Sequence, residues 1–231
     1  MLSQTAAITS LNLRSMPERW GPSLVIVVGL AGVVAVFTAL LAMAEGFQST
    51  LKATGREDVA LVLRGGSSAE LNSGLGRDQA VLIKQAPGVA RGADDQPIGS
   101  GEMIVIAELL RKGESTGSNI TVRGVEPAAF ALRPQLKIVE GRPFQTGLRE
   151  MVVGRGVTRQ FDGAGLGQTL RMRGSDWTVV GVFETGDATE SELWADVEVA
   201  QSTVNGQGDS SVRVQLADAG ARQGFQDAIT A

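Results

Sequence analysis

The chain has 231 residues, of which 43% are hydrophobic and 20% charged, a composition typical of a folded protein with a sizeable core. Its formal net charge is −4 and it has no lysine and arginine cluster, so we predict no nucleic-acid partner. Because cysteine and histidine are absent, disulfides, thiolate or histidine metal sites and serine–histidine–aspartate catalysis are excluded. Most enzyme classes that a sequence can reveal are therefore excluded.

Residues 1–22 are predicted to be a short amphipathic segment on the cytoplasmic side of a membrane. Arg14 and Arg19 supply positive charge, and Trp20 is a residue type that favours the membrane interface. The segment would lead directly into the apolar run that follows it.

An uncharged run covers residues 24–44, and a helix of that length spans the roughly 30 Å hydrocarbon core of a bilayer. We predict a transmembrane helix at residues 23–44 that continues as a helical stalk through residues 45–55. A cleavable signal peptide is the alternative, because Ala42-Met43-Ala44 fits a cleavage pattern. The length of the run favours the anchor. The flanking charges barely decide the orientation, and a cytoplasmic N-terminus is chosen because the large folded part follows the helix.

Small residues recur on one side of this predicted helix. Ala31, Ala35 and Ala39 are spaced four apart, and Ala42 lies close to the same stripe. Such a stripe lets a second membrane helix approach closely. We predict a helix-packing face there, while the alternative is that alanine is simply common in membrane helices.

After residue 56 short strands and helices are interspersed without strict alternation, which predicts an α+β fold. The predicted strands cover residues 59–64, 103–110, 119–125, 150–153, 169–173, 177–183 and 211–216. The predicted helices cover residues 77–86, 127–132, 156–161 and 217–230. Residues 174–176 are predicted to be the turn of a hairpin.

Sequence motifs for chemistry are few. No glycine–lysine pair occurs, so the chain has no phosphate-binding P-loop and we expect no ATP hydrolysis by it. The glycine-rich residues 163–167 precede a strand and are predicted to be a turn. The acidic pairs Asp94/Asp95 and Glu190/Glu192 are predicted to be solvated loop residues, with a carboxylate-based hydrolase as the alternative.

Several phrases, taken in order, resemble one family. They read IKQAPGV at residues 83–89, VRGVEP at 122–127, VEGRPF at 139–144, MVVG at 151–154, LGQTL at 166–170, WTVVGVF at 177–183 and ESELWAD at 190–196. Together they resemble the MacB/FtsX/LolC-type ABC transporter permeases and their MacB-like periplasmic core domain. The resemblance covers nearly the whole chain.

The resemblance implies an extracytoplasmic two-part domain at residues 56–231. Residues 56–125 and 209–231 would form a βαβ-rich, porter-like part, and residues 126–208 an inserted β-rich subdomain. It implies transmission of motion without catalysis, no cofactor in this chain, and ATP hydrolysis by a separate cytoplasmic ABC ATPase. The implied setting is the inner membrane, with a homodimer or paired permease and a possible periplasmic adaptor as partners.

The resemblance implies a layout of one transmembrane helix, an external domain and three further transmembrane helices. This chain stops before any further helix, so the sequence leads us to expect the N-terminal portion of a permease, as a fragment or a split protein. A stand-alone anchored binding or scaffold module is the alternative, and a secreted hydrolase is a third hypothesis.

Overall fold

The computed structural model describes residues 20–54, 56–204, 206, 208–218 and 220–230, without the side chains of residues 22 and 48–54. The chain divides into two compact units, Met1–Thr54 and Gly55–Ala231. Most of the predicted amphipathic segment at residues 1–22 lies outside the described residues.

The first unit contains one continuous helix, α1, at Trp20–Thr54. Its segment Ser23–Phe47 has a mean hydropathy of 2.9 and is long and apolar enough to cross a membrane. Its apolar side chains are exposed, as lipid-facing residues would be. The Thr38 hydroxyl donates to the Val34 carbonyl oxygen at 2.8 Å, so this polar group is satisfied within the helix. The prediction of one apolar N-terminal helix is confirmed.

The second unit is built on a mixed sheet. Among its described residues the strands follow the order β1-β9-β2-β3-β8-β5-β7-β4, and β6 pairs with β7 outside this path. The strands are β1 (Val59–Val62), β2 (Gly99–Leu110), β3 (Gly117–Val125), β4 (Lys137–Gly141), β5 (Glu150–Gly154), β6 (Thr169–Met172), β7 (Ser175–Glu184), β8 (Glu192–Asp196) and β9 (Ser211–Gln215). The α+β prediction is confirmed.

The helices of this unit are short and cover the sheet. They are α2 (Arg77–Gln85), α3 (Ala128–Ala131), α4 (Arg155–Gln160), α5 (Val197–Thr203) and α6 (Ala221–Thr230), with 3-10 turns at Glu70–Asn72 and Ala188–Ser191. In α5, the Asp196 side chain accepts a hydrogen bond from the Val199 amide and caps the helix start. Helix α2 buries Ala80 and Ile83, and α6 buries Phe225, against the sheet.

Some elements differ from the sequence prediction. Strands β4 and β8 and helix α5 were not predicted, because β4 is mostly exposed and lacks an apolar alternation while β8 is buried on both faces. The hairpin turn lies at Arg173–Gly174, since Met172 pairs with Ser175. The predicted hairpin is therefore confirmed, but its turn begins one residue earlier than residues 174–176, because Arg173 itself adopts a positive φ of 48° and closes a two-residue turn.

The predicted division of residues 56–231 into a porter-like part and an inserted subdomain stays a prediction. Strands from both predicted parts share one sheet, since β3 pairs in parallel with β8. One apolar cluster lies around α2, α6 and β9, and a larger one lies between β2, β3, β5 and β7. A third cluster is aromatic and includes Phe144, Phe183 and Trp194.

Candidate functional site

The centre of the second unit contains a charged residue that is fully buried. Glu102 on β2 has no exposed surface. Arg133, in the segment after α3, donates two hydrogen bonds to it, from Nη1 to Oε1 at 2.8 Å and from Nη2 to Oε2 at 2.7 Å. Arg123 on β3 adds a third, from Nη1 to Oε2 at 2.9 Å. A buried carboxylate needs such charged donors, because burial without them is costly.

Arg123 joins this carboxylate to two further ones. Its guanidinium donates to Glu192 on β8 at 2.8 and 3.0 Å, and to Glu70 of the first 3-10 turn at 3.0 and 3.2 Å. The Ser211 hydroxyl on β9 donates to Glu70 at 2.6 Å. We call Glu70, Glu102, Arg123, Arg133, Glu192 and Arg213 the ion network. It ties the loop before α2 to four strands of the sheet.

Two further contacts extend the ion network into the aromatic cluster. The Trp194 indole N–H donates to Glu192 at 2.8 Å, and the Arg133 guanidinium lies 4.8 Å from the centre of the Trp194 ring. Arg213 Nε lies 3.7 Å from Glu102 Oε1, which is an ion pair without a hydrogen bond. Three carboxylates thus face three guanidinium groups, so the charge within the buried network is balanced.

The network keeps Glu70 and Glu102 ionised. Burial alone would raise the pKa of Glu102, but the charges and hydrogen bonds of Arg133 and the charge of Arg123 outweigh it and lower that pKa. The pKa of Glu70 is lowered in the same way, because Arg123 and Ser211 outweigh burial. Conversely, the carboxylates outweigh burial and hold the pKa of Arg123 well above its ordinary value. The charges of these groups are paired, and their hydrogen bonds fix the relative positions of segments that are distant in the sequence.

A second polar cluster joins α2 and α5 to Glu126, just after β3, and to Asp209, just before β9. Gln201 on α5 donates to the Asp209 carboxylate at 3.0 Å, and Lys84 on α2 donates to Glu126 at 2.7 and 2.9 Å. Burial, with the nearby charge of Glu126, raises the pKa of Asp209 to about 6, although Lys84 and Arg77 oppose the shift. Ionising the Asp209 carboxyl therefore costs more free energy in the folded protein than it does in water.

The predicted site residues fall in different places. Ala31, Ala35, Ala39 and Ala42 lie exposed on α1, and the helix-packing face stays a prediction. Asp94/Asp95 are exposed, as predicted.

The prediction that Glu190 and Glu192 are solvated was wrong. Glu190 accepts from the Thr185 and Gly186 amides, and Glu192 binds Arg123 and Trp194. The reason is that Glu192 lies on β8 rather than in a loop. Within the part of the chain that the structure describes, no three carboxylates form a group that could hold a metal ion.

Sequence reasoning missed the ion network. One usable signal existed, since Glu102 and Arg123 each lie between apolar or glycine neighbours within a strand. A charge inside a buried strand needs a partner, although the sequence does not show which one.

Comparison with known proteins supplies the family. The family model of the MacB-like periplasmic core domain matches residues 23–231. No curated protein matches the chain by sequence. Solved structures are also similar to the chain, and two of them have a TM-score of 0.55. The extracellular domain of the noncanonic ABC-type transporter YknZ from Gram-positive bacteria is 15% identical, over 74% of this chain and 88% of that one.

The second similar structure is the periplasmic region of MacB from Actinobacillus actinomycetemcomitans. It is 14% identical, over 74% of this chain and 81% of that one. At such identities the likeness by itself shows a shared fold, and the family rests on the match over residues 23–231. The chain therefore belongs to the family of the MacB-like periplasmic core domain, the membrane-anchored periplasmic domain of ABC-type transporters.

Proposed function

We propose that this chain is part of the permease subunit of an ABC transporter of the MacB/FtsX type and acts by mechanical transmission. The observation that carries the proposal is the family match, which includes both the apolar helix and the domain after it. A helix joined directly to a folded domain can pass displacement in the membrane to a surface outside it.

The ion network supports a mechanical role for the domain. It links the 3-10 turn at Glu70–Asn72, strands β2, β3, β8 and β9, and the segment after α3 through hydrogen bonds of 2.6–3.2 Å. Displacing any one of these elements would separate buried opposite charges, which costs several kcal/mol. The domain therefore resists internal shear, and a force on one element moves the whole unit.

The proposed partners follow from the same role. A separate cytoplasmic ABC ATPase hydrolyses the ATP, and this chain needs no cofactor and performs no catalysis. The proposed setting is the inner membrane, with the N-terminus inside and the domain outside. A second permease copy or a paired permease would complete the transporter, and the alanine stripe at residues 31–42 of α1 would contact a neighbouring helix.

Co-purification tests the proposal. The protein is expressed together with a candidate ABC ATPase that carries a Walker A motif, and the affinity-tagged permease is expected to retain the ATPase in detergent. A Ser68→Cys reporter, the single cysteine within residues 1–231, is expected to change its labelling rate when ATP is added. The matched control is an ATPase whose Walker A lysine is replaced, which should bind but produce no ATP-dependent change.

Failure of the ATPase to co-purify would contradict the permease proposal. It would favour the alternative, a stand-alone anchored periplasmic binding or scaffold module. A complex that forms without any ATP-dependent change in the labelling of residue 68 would contradict mechanical transmission.

A further inference from the structure

Arg213 on β9 has hydrogen-bond donors that no described residue accepts. Glu102 Oε1 lies 3.7 Å from Arg213 Nε, which is too far for a hydrogen bond, and Nε is buried without a partner. Glu102 already accepts three hydrogen bonds from Arg123 and Arg133. A guanidinium carries five N–H donors, and buried donors in proteins are nearly always paired. The unpaired Arg213 guanidinium therefore indicates an acceptor that lies outside the described residues.

The terminal nitrogens of Arg213 are accessible from outside the domain. The side chain is 21% exposed although its Nε is buried. In the described part of the chain, the buried unpaired side-chain atoms are Nε of Arg155, Nε1 of Trp177 and Nε of Arg213. Nη1 and Nη2 of Arg213 donate no hydrogen bond within that part either, so they are not buried. The guanidinium therefore has one buried edge beside Glu102 and one open edge.

This open edge belongs to a sheet face that is covered only in part. The ladders place Leu61 of β1 and Ser100 of β2 directly opposite Arg213, so the three side chains share one face. Helices α2 and α6 pack on the other face, where Val212 and Val214 lie. Ser100 is fully buried, whereas Leu61 is 42% exposed. The face is therefore closed on its β2 side and open on its β1 side, with Arg213 at the boundary.

The charge of Arg213 is less well compensated than that of Arg123. Burial, together with the charge of Arg133, lowers the pKa of Arg213, although Glu102 opposes the shift. For Arg123, in contrast, the surrounding carboxylates raise the pKa well above its ordinary value. Arginine keeps its proton under either shift, so Arg213 is a cation that has lost water without gaining a hydrogen-bonded anion.

We propose that Arg213 receives a carboxylate side chain of a partner protein that docks on the open face of β1 and β9. A carboxylate matches the guanidinium, because its two oxygens accept two parallel N–H bonds. Leu61 provides an apolar contact beside this pair, and arginine is enriched at the centre of protein interfaces. The inference goes beyond the proposed function and does not depend on it.

The surroundings of Arg213 favour a protein over an anionic membrane as the occupant. Attraction to anionic lipid needs a cluster of lysine and arginine side chains. The residues that flank Arg213 across the ladder on this face are Leu61 and Ser100, which carry no charge. A single guanidinium beside an apolar side chain is instead suited to one acidic side chain of a protein surface.

Docking at Arg213 would reach the buried ion network. The guanidinium lies between the open face and Glu102, and Glu102 is bonded to Arg123 and Arg133. A carboxylate bound to the open edge would therefore act on charges that hold β2 and β3 together with the segment after α3. Partner binding and the rigidity of the domain would be coupled through these contacts.

Photo-cross-linking in cells tests the proposal. A benzophenone amino acid replaces Leu61, and mass spectrometry identifies the protein and the position joined to it. We expect an aspartate or glutamate of the partner beside that position. Arg213→Met, which removes the charge but keeps an unbranched side chain, is expected to lower the cross-linked fraction at least about tenfold. Arg171→Glu is the control, because Arg171 is exposed on β6, which pairs with β7 and not with β9.

A double-mutant cycle separates a lost contact from a damaged fold. Replacing the identified partner acid by its amide is expected to lower cross-linking by a similar factor, and combining it with Arg213→Met should lower it no further. Fully additive losses would overturn the proposal, as would cross-linking that is unchanged in Arg213→Met. Cross-links from residue 61 to lipid alone, to a second copy of this chain alone, or to nothing would overturn it as well.

Discussion

At the scale of single residues, we expect the stability of the fold to depend strongly on the buried Glu102 carboxylate. The substitution Glu102→Gln removes the carboxylate charge that Arg133 and Arg123 share, and it leaves the buried Arg133 guanidinium without its ion-pair partner. We expect the free energy of unfolding to fall by about 3–5 kcal/mol, because breaking a buried pair costs far more than an exposed one. Urea unfolding followed by circular dichroism measures it.

The matched control for Glu102 is Asp95→Asn. Asp95 pairs with Arg91 at 3.7 Å on the surface, and its side chain is 88% exposed. The change should be under about 1 kcal/mol. Equal effects at the two positions would contradict a buried network that supports the domain.

Asp209 produces a pH dependence of the opposite kind to that of Glu102. Its pKa in the folded state is about 6, above the ordinary 3.8, so its stabilising contribution is complete below pH 4 and is lost as the pH rises through 6. Asp209→Asn is therefore expected to stabilise the protein at pH 7 by about 1–3 kcal/mol. In the wild-type protein the Asp209 contribution to the free energy of unfolding falls between pH 4 and 6, and the Asp209→Asn variant should lack this fall.

Thermal unfolding at several pH values measures the Asp209 effect, with Asp95→Asn as the exposed control. The lowered pKa values of Glu70 and Glu102 work in the other direction, because their contribution is complete above pH 4.5 and is lost as the pH falls further. A destabilised Asp209→Asn variant at pH 7 would show that Asp209 stabilises the fold through its charge.

At the scale of elements, two glycines with open space around them should respond in opposite directions to alanine. Gly174 closes the β6–β7 turn with a φ of 79°, whereas Gly224 lies inside α6. Gly174→Ala is expected to cost about 1 kcal/mol or more, because an L side chain is strained there. Gly224→Ala should stabilise the helix by about 0.5–1 kcal/mol. Paired urea titrations compare them, and equal signs would contradict the turn assignment.

At the scale of the whole molecule, the proposed orientation can be read from one introduced thiol. Ser68 is exposed in the loop after β1, and the chain has no native cysteine. We expect Ser68→Cys to react with a membrane-impermeant maleimide in cells whose outer membrane is permeabilised, as measured by mass shift. Labelling only after the inner membrane is broken would reverse the orientation.

The sequence by itself determined the features that depend on local composition. An uncharged apolar run specifies a helix suited to a bilayer wherever it occurs, and α1 continues unbroken from Trp20 to Thr54. The sequence likewise predicted strands within β2 and β3 as hairpin partners, and β9 from its alternating residues. The ordered phrases also identified the family, which the match over residues 23–231 confirms.

The tertiary structure decided what depends on distant partners. Strand β8 is a strand because β3 and β5 pair with its two edges, and its own five residues carry too little pattern to show it. Glu70 and Ser211 bond although 141 positions separate them, and no local spacing encodes that contact. The ion network exists only once the strands are ordered, because buried ion pairs between distant segments are a property of the assembled sheet.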